Sequence, residues 1–139
     1  MKVIDATDLK AGRIASRIAK KALEGEEFII INSEKAVISG SKETNFEKYS
    51  KKRDVGSRYR GPFFPKRSDR ILRRTIRGML PYKKKRGKEA LKRIKTYIGV
   101  PEEFKDKKAE TIEKAKIGNV EKKRYIQLEK LSKKLGGKK

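Results

Sequence analysis

The sequence predicts an α/β domain built on a parallel βαβ unit. Three stretches predict it. Val3-Ile4-Asp5-Ala6 is a short apolar run near the start, as a strand buried on both faces presents. Ala11 to Leu23 repeats its apolar residues at helical spacing. Phe28-Ile29-Ile30-Ile31-Asn32 is continuous and β-branched, which suits a central parallel strand. Strand, helix and strand in a span of about thirty residues form one βαβ unit, with a right-handed crossover.

Bulk composition narrows the function. The chain has 139 residues, 35% hydrophobic and 42% charged. A typical domain carries about 25% charged residues, so the core is modest and the extensions are polar. Lys and Arg number 41 against 18 Asp and Glu, for a net charge of +23. Such an excess points to a polyanion, with nucleic acid first. No apolar run approaches the roughly 20 residues of a membrane span. The N-terminus shows no apolar secretory segment. Cysteine and histidine are both absent, which removes disulfides, thiolate metal sites and the commonest general base. A cytosolic protein without cofactor or metal is expected.

Taken in order, Thr7 or Asp8 offers an N-cap oxygen to the first helix. That helix places Ala11, Ile14, Ala15, Ile18, Ala19, Ala22 and Leu23 on one stripe, with Arg13, Arg17, Lys20 and Lys21 off it. Gly25 closes it in the left-handed conformation. Ser33–Ala36 reads as one helical turn. Val37–Gly40 either continues it or is extended. Residues 41–52 read as a polar helix with Phe46 and Tyr49 as its inner edge.

Residues 53–67 read RDVGSRYRGPFFPKR. Their glycines and prolines exclude a regular core element. One reading is a solvated loop whose aromatics tuck onto the domain. The other is an arm on RNA, with Arg53, Arg58, Arg60, Lys66 and Arg67 on phosphates and Tyr59, Phe63 and Phe64 on exposed bases. The net charge favours the second. Ser68 is then a candidate N-cap, with Asp69 in the first turn. Leu72, Ile76, Met79 and Leu80 give a core stripe flanked by Ile71 and Thr75, and Met79 is expected to be buried. Arg70, Arg73, Arg74 and Arg77 fill the remainder without a single lysine. Guanidinium forks suit phosphate better than ammonium groups, so this face is a candidate backbone-binding surface.

Pro81 ends the helix, and Lys83, Lys84, Lys85 and Arg86 follow as consecutive cations that join the arm and the arginine face as candidate RNA-binding residues. Gly87 to Arg93 restarts a helix. Residues 95–98 form a strand ended by Gly99 and Pro101. Residues 101–123 are charge-rich with sparse anchors. Tyr125-Ile126 is a short extended piece, and Leu128, Leu131, Ser132 and Leu135 make a terminal helix stopped by Gly136-Gly137. This last third is expected to be less compact.

No catalytic constellation emerges. Gly12 opens a helix after a strand but lacks the G-x-G-x-x-G pattern. Glu26-Glu27 and Glu102-Glu103 are sequence neighbours, which do not face each other on a helix or strand.

Arg77-Gly78-Met79-Leu80-Pro81 is followed by Gly87, Ala90-Leu91 and Tyr97-x-Gly99-x-Pro101. On these residues the chain resembles the large-subunit ribosomal protein L-thirteen family. Val3–Ala6, Gly12–Ser16, Asn32–Lys35 and Ser39-Gly40 support the resemblance. It covers about residues 2 to 101; Thr96 stands where the family usually has an aliphatic residue. Residues 60–65 and 124–128 are similar to the archaeal and eukaryotic branch. The resemblance implies a small three-layer α/β/α domain over residues 1–101 with a mainly parallel sheet, and a charged extension, 102–139, packing on it. It implies no catalysis. It implies instead a structural protein of the large ribosomal subunit, bound to rRNA and neighbouring ribosomal proteins and contributing to early assembly. A translational regulator acting off the ribosome uses the same basic surface and is the alternative. An RNA-processing enzyme is a third reading and needs a titratable group in a pocket.

Overall fold

The computed structural model describes residues 2–54, 65–112, 115–116 and 124–136, apart from the side chains of 52–54. Strand β1 is Lys2–Asp5, helix α1 Ala11–Leu23, β2 Phe28–Ile31, β3 Val37–Ser39 and α2 Lys42–Asp54. After them come α3 Ser68–Gly78, α4 Lys85–Lys92, β4 Ile94–Thr96, β5 Tyr125–Gln127 and α5 Leu128–Lys134. Short 3-10 turns occupy Ser33–Lys35 and Glu102–Phe104.

β1, β2 and β4 form a parallel sheet with β2 in the middle. All four β2 residues are buried, which accounts for its unbroken apolar run. Alternation along the strands divides the core. Ile4, Phe28, Ile30 and Ile94 face a large cluster containing Ile14 and Ile18 of α1, Ile71, Leu72 and Ile76 of α3, and Ala90 of α4. Val3, Ile29 and Ile31 face the other way, onto Phe104 and Tyr97. That second layer is thin and carries a 3-10 turn where the first carries α-helices.

β3 and β5 form a separate antiparallel pair. They bring in α5, whose Leu128, Leu131 and Leu135 are essentially inaccessible and belong to the main cluster. Residues 124–136 therefore pack onto the domain by placing Ile126, Leu128, Leu131 and Leu135 in the core, where the sequence suggested a looser segment. Neither expected cap forms. Lys10 and Arg67 occupy the N-cap positions of α1 and α3 without side-chain capping. The Thr7 hydroxyl donates to Asp5 Oδ1 at 2.6 Å instead, and Ser68 is buried inside α3. Gly25 has φ +105° as expected.

The C-terminal ends of the parallel strands are where α/β sheets commonly hold ligands. Here the polar groups at those ends are spent on one another. The Asn32 backbone N–H donates to the Gly99 carbonyl at 2.9 Å and that of Ser33 to the Tyr97 carbonyl at 3.1 Å. The Gly99 N–H donates to Glu34 Oε2 at 2.9 Å. Asp5 Oδ1 also accepts from the Thr7 N–H at 3.0 Å and Asn32 Nδ2 at 3.1 Å. The residues of Asn32-Ser33-Glu34 and Tyr97-x-Gly99 thus bind each other.

Partial burial pushes the Asp5 pKa up, but the hydrogen bonds from Thr7 and Asn32, with the charge of Lys35, outweigh it and hold the carboxyl below 3.8. A lowered folded pKa contributes stability above the unfolded value, and that contribution is lost as pH falls through the folded value. Asp5→Asn is expected to lower stability at neutral pH and to flatten the acid limb below about pH 4. Urea midpoints of the two proteins between pH 2 and 7 check this; parallel curves would contradict it.

Candidate nucleic-acid interface

Helix α3 separates its faces cleanly. Ile71, Leu72 and Ile76 are buried. Arg70, Arg74 and Arg77, spaced i, i+4 and i+7, share the opposite stripe. Arg70 is exposed, and Arg74 and Arg77 are half-buried. Burial, and then the charge of Arg77, push the Arg74 pKa down. Like charges are held together on this stripe, an arrangement that an anion relieves.

Arg73 behaves differently. Its guanidinium donates to the carbonyls of Ile94 and Leu91, the latter at 3.3 Å. Burial pushes its pKa down as well. It ties α3 to the α4–β4 junction and so stands apart from the outward arginines. Arg73→Met leaves two part-buried carbonyls without this donor, and is expected to cost about 1–3 kcal/mol of stability. Arg70→Met, at an exposed position of the same helix, should cost much less. Denaturant unfolding of both variants checks this, and equal losses would contradict it.

The turn after α3 sets the second group of cations. The helix ends at Gly78, so Met79 leaves the stripe and is 46% exposed, while Leu80 is buried at 4%. The expectation that Met79 lies in the core is therefore corrected. Tyr82 is also exposed, and the Arg77 guanidinium sits 4.7 Å from its ring centroid. The Lys84 N–H donates to the Pro81 carbonyl at 2.9 Å. Gly87 is buried against that same peptide: a Cβ on it would lie 1.9 Å from the Pro81 oxygen. This close approach fixes the turn and holds Lys83, Lys84, Lys85 and Arg86 outward, all exposed.

Helix α4 starts at Lys85, two residues before the expected restart. Lys85 and Arg86 thus lie in its first turn, which contains no acidic residue. Cations there oppose the helix dipole by about 0.3–1 kcal/mol each. The fold alone gains nothing from this placement.

The expected arm at 53–67 is only partly described. α2 extends through Asp54, so its first two residues are helical. The Arg53 side chain and all of Arg58, Tyr59, Arg60, Phe63 and Phe64 lie outside the described residues. Lys66 is exposed. Its carbonyl accepts from the Ser132 hydroxyl, which moors the arm's exit to α5. Arg67 pairs with Asp69 at 3.5 Å.

A further basic face escaped the sequence-level choice of site residues. Arg13, Arg17, Lys20 and Lys21 of α1 are all exposed. Their signal was visible as cations off the apolar stripe, but no aromatics are interleaved with them. Among the described residues no helix is long and apolar enough to cross a membrane. No cluster of three or more carboxylate, Cys or His side chains among them could hold a metal.

Comparison with known proteins agrees with the resemblance. The family described as Ribosomal protein L13 matches residues 1–103. The chain is similar to the large ribosomal subunit protein uL13 of Methanosarcina barkeri, with 52% identity over 139 residues and 99% of each chain covered. Its counterpart in Methanococcoides burtonii is 50% identical over 138 residues, again covering 99% of each. That of Methanocaldococcus jannaschii is 44% identical over 142 residues with the same coverage.

Proposed function

The chain belongs to the ribosomal protein L13 family, and we propose that it is a structural constituent of the large ribosomal subunit that binds rRNA and supports early subunit assembly. It is a structural protein and not an enzyme, residing with the subunit in the cytoplasm. The contact surface comprises the outward α3 arginines Arg70, Arg74 and Arg77 and the cluster Lys83–Arg86, extended by the arm from Arg58 to Lys66. Neighbouring ribosomal proteins are the other partners.

The observation that carries this reading is the site of the cluster. Four exposed cations are held by a tightly packed Pro81–Gly87 turn, and two occupy the helix end that disfavours them. A polyanion offsets that cost. Arg77 and Tyr82 beside them offer a guanidinium on an aromatic face, to which a base can add by stacking. The test is co-sedimentation of the chain with large subunits, together with binding to deproteinised large-subunit rRNA at several salt concentrations. Binding should weaken by about 0.7–0.9 log units per phosphate contact for each tenfold rise in salt. Release into the soluble fraction at low salt would contradict the reading. Crosslinks confined to messenger RNA in ribosome-free fractions would replace it with an off-ribosome role.

A further inference from the structure

Strand β4 and the α3 arginines lie at one edge of the parallel sheet, where the Thr96 hydroxyl donates to the Asp69 carbonyl at 3.0 Å. β1 forms the opposite edge. Residues 110–112 run along that edge, with the Glu110 N–H donating to the Val3 carbonyl at 2.8 Å and its carbonyl accepting from Asp5 at 2.9 Å. Between this segment, β1 and α1 lies a cleft of about 320 Å³. It is lined by the buried Ile4, Ile18 and Phe28, by Glu110 and Thr111 of that segment, and by the exposed Lys2, Arg17 and Lys21.

We propose that this cleft receives one unstacked nucleotide of rRNA, so that the protein holds RNA at both edges of its sheet. The inference rests on the rRNA-binding reading above. The buried part of the lining is apolar and includes Phe28, which suits the face of a base. Arg17 and Lys21, spaced i, i+4, are exposed at the rim and have no ion-pair partner among the described residues. Lys2 is shared with Glu26 at 3.8 Å. With Lys2 paired to Glu26, Arg17 and Lys21 still outnumber the Glu110 carboxylate in the lining, which favours an anionic occupant. Arg13 and Lys20 continue the same charge along α1 and give the flanking phosphates a track. Single-stranded nucleic acid is held in this way, by cations on the backbone and apolar or aromatic contact to the base.

Two variants separate the base from the phosphates. Thr111→Trp fills the cleft from an exposed position without changing charge. It is expected to weaken binding to deproteinised large-subunit rRNA about tenfold, as the loss of one base contact does, at an unchanged salt slope. Arg17→Ser with Lys21→Ser is expected to reduce the salt slope by about 1.4, two single-strand phosphate contacts. Unchanged affinity of Thr111→Trp, with wild type still binding and the Lys83–Arg86 variant still weakened, overturns the cleft assignment alone. A Thr111→Trp chain that binds rRNA normally but fails to enter the subunit also overturns it, in favour of a protein side chain as occupant. Absence of wild-type rRNA binding overturns the reading beneath it.

Discussion

Gly87→Ala is expected to destabilise the protein by about 3 kcal/mol, at the upper end of what forced overpacking costs. The added Cβ would meet the Pro81 oxygen at 1.9 Å, the Pro81 carbonyl carbon at 2.3 Å and the Tyr82 nitrogen at 2.8 Å. These are backbone atoms, so no side chain can turn aside to make room. Relief requires α4 to move away from the turn, and Ala90 of α4 is fully buried in the main core. Gly12→Ala is the internal control. A Cβ at Gly12 meets nothing within 4 Å, and alanine is the better helix former by about 0.5–1 kcal/mol. The two glycine substitutions should therefore move the urea midpoint in opposite directions. Equal midpoints would show that the turn yields without cost. Arg77-Gly78-Met79-Leu80-Pro81 and Gly87 thereby acquire a physical reason to occur together: the glycine is the surface on which the proline turn rests.

Replacing Lys83, Lys84, Lys85 and Arg86 together by serine is expected to weaken rRNA binding on the order of a hundredfold near 150 mM salt, with a salt slope lower by about 3. The same variant should fold as well as wild type or slightly better. Its four side chains are exposed, and the removal of Lys85 and Arg86 relieves the first turn of α4. Binding and stability therefore change in opposite senses. A merely solvated cluster would leave affinity unchanged, and a structural cluster would lower stability. Filter binding across a salt series and denaturant unfolding distinguish the three outcomes.

Local periodicity made several elements readable. The stripe from Ala11 to Ala22 made α1 readable, because its apolar residues close against one core, whereas Leu23, expected on the same stripe, is 39% exposed at the helix end. Phe28–Ile31 was readable because a strand covered on both sides needs no polar alternation. Long-range pairing was not readable. Leu128, Leu131 and Leu135 are core residues because β5 pairs with β3, and nothing within a short window announces a partner far back in the chain. Met79 fits the helical stripe on paper, yet α3 ends one residue before it. Sequence treats Arg73 and Arg74 alike. Only the position of the α4–β4 junction turns the first inward. The candidate interface was thus legible as composition and spacing, while the direction of each guanidinium depended on tertiary packing. Glu34 shows the same limit, since its role as acceptor for the Gly99 N–H requires the two strand ends to be side by side.

We propose that the α3 stripe and the Pro81–Gly87 turn face rRNA. Crosslinking of intact large subunits, mapped to the amino acid and the nucleotide, tests it most directly. Crosslinks from Arg70, Arg74, Arg77 and Lys83–Arg86 to large-subunit rRNA are the predicted result. Crosslinks from elsewhere on the chain, with these residues left open to solvent labelling in the assembled subunit, would contradict it.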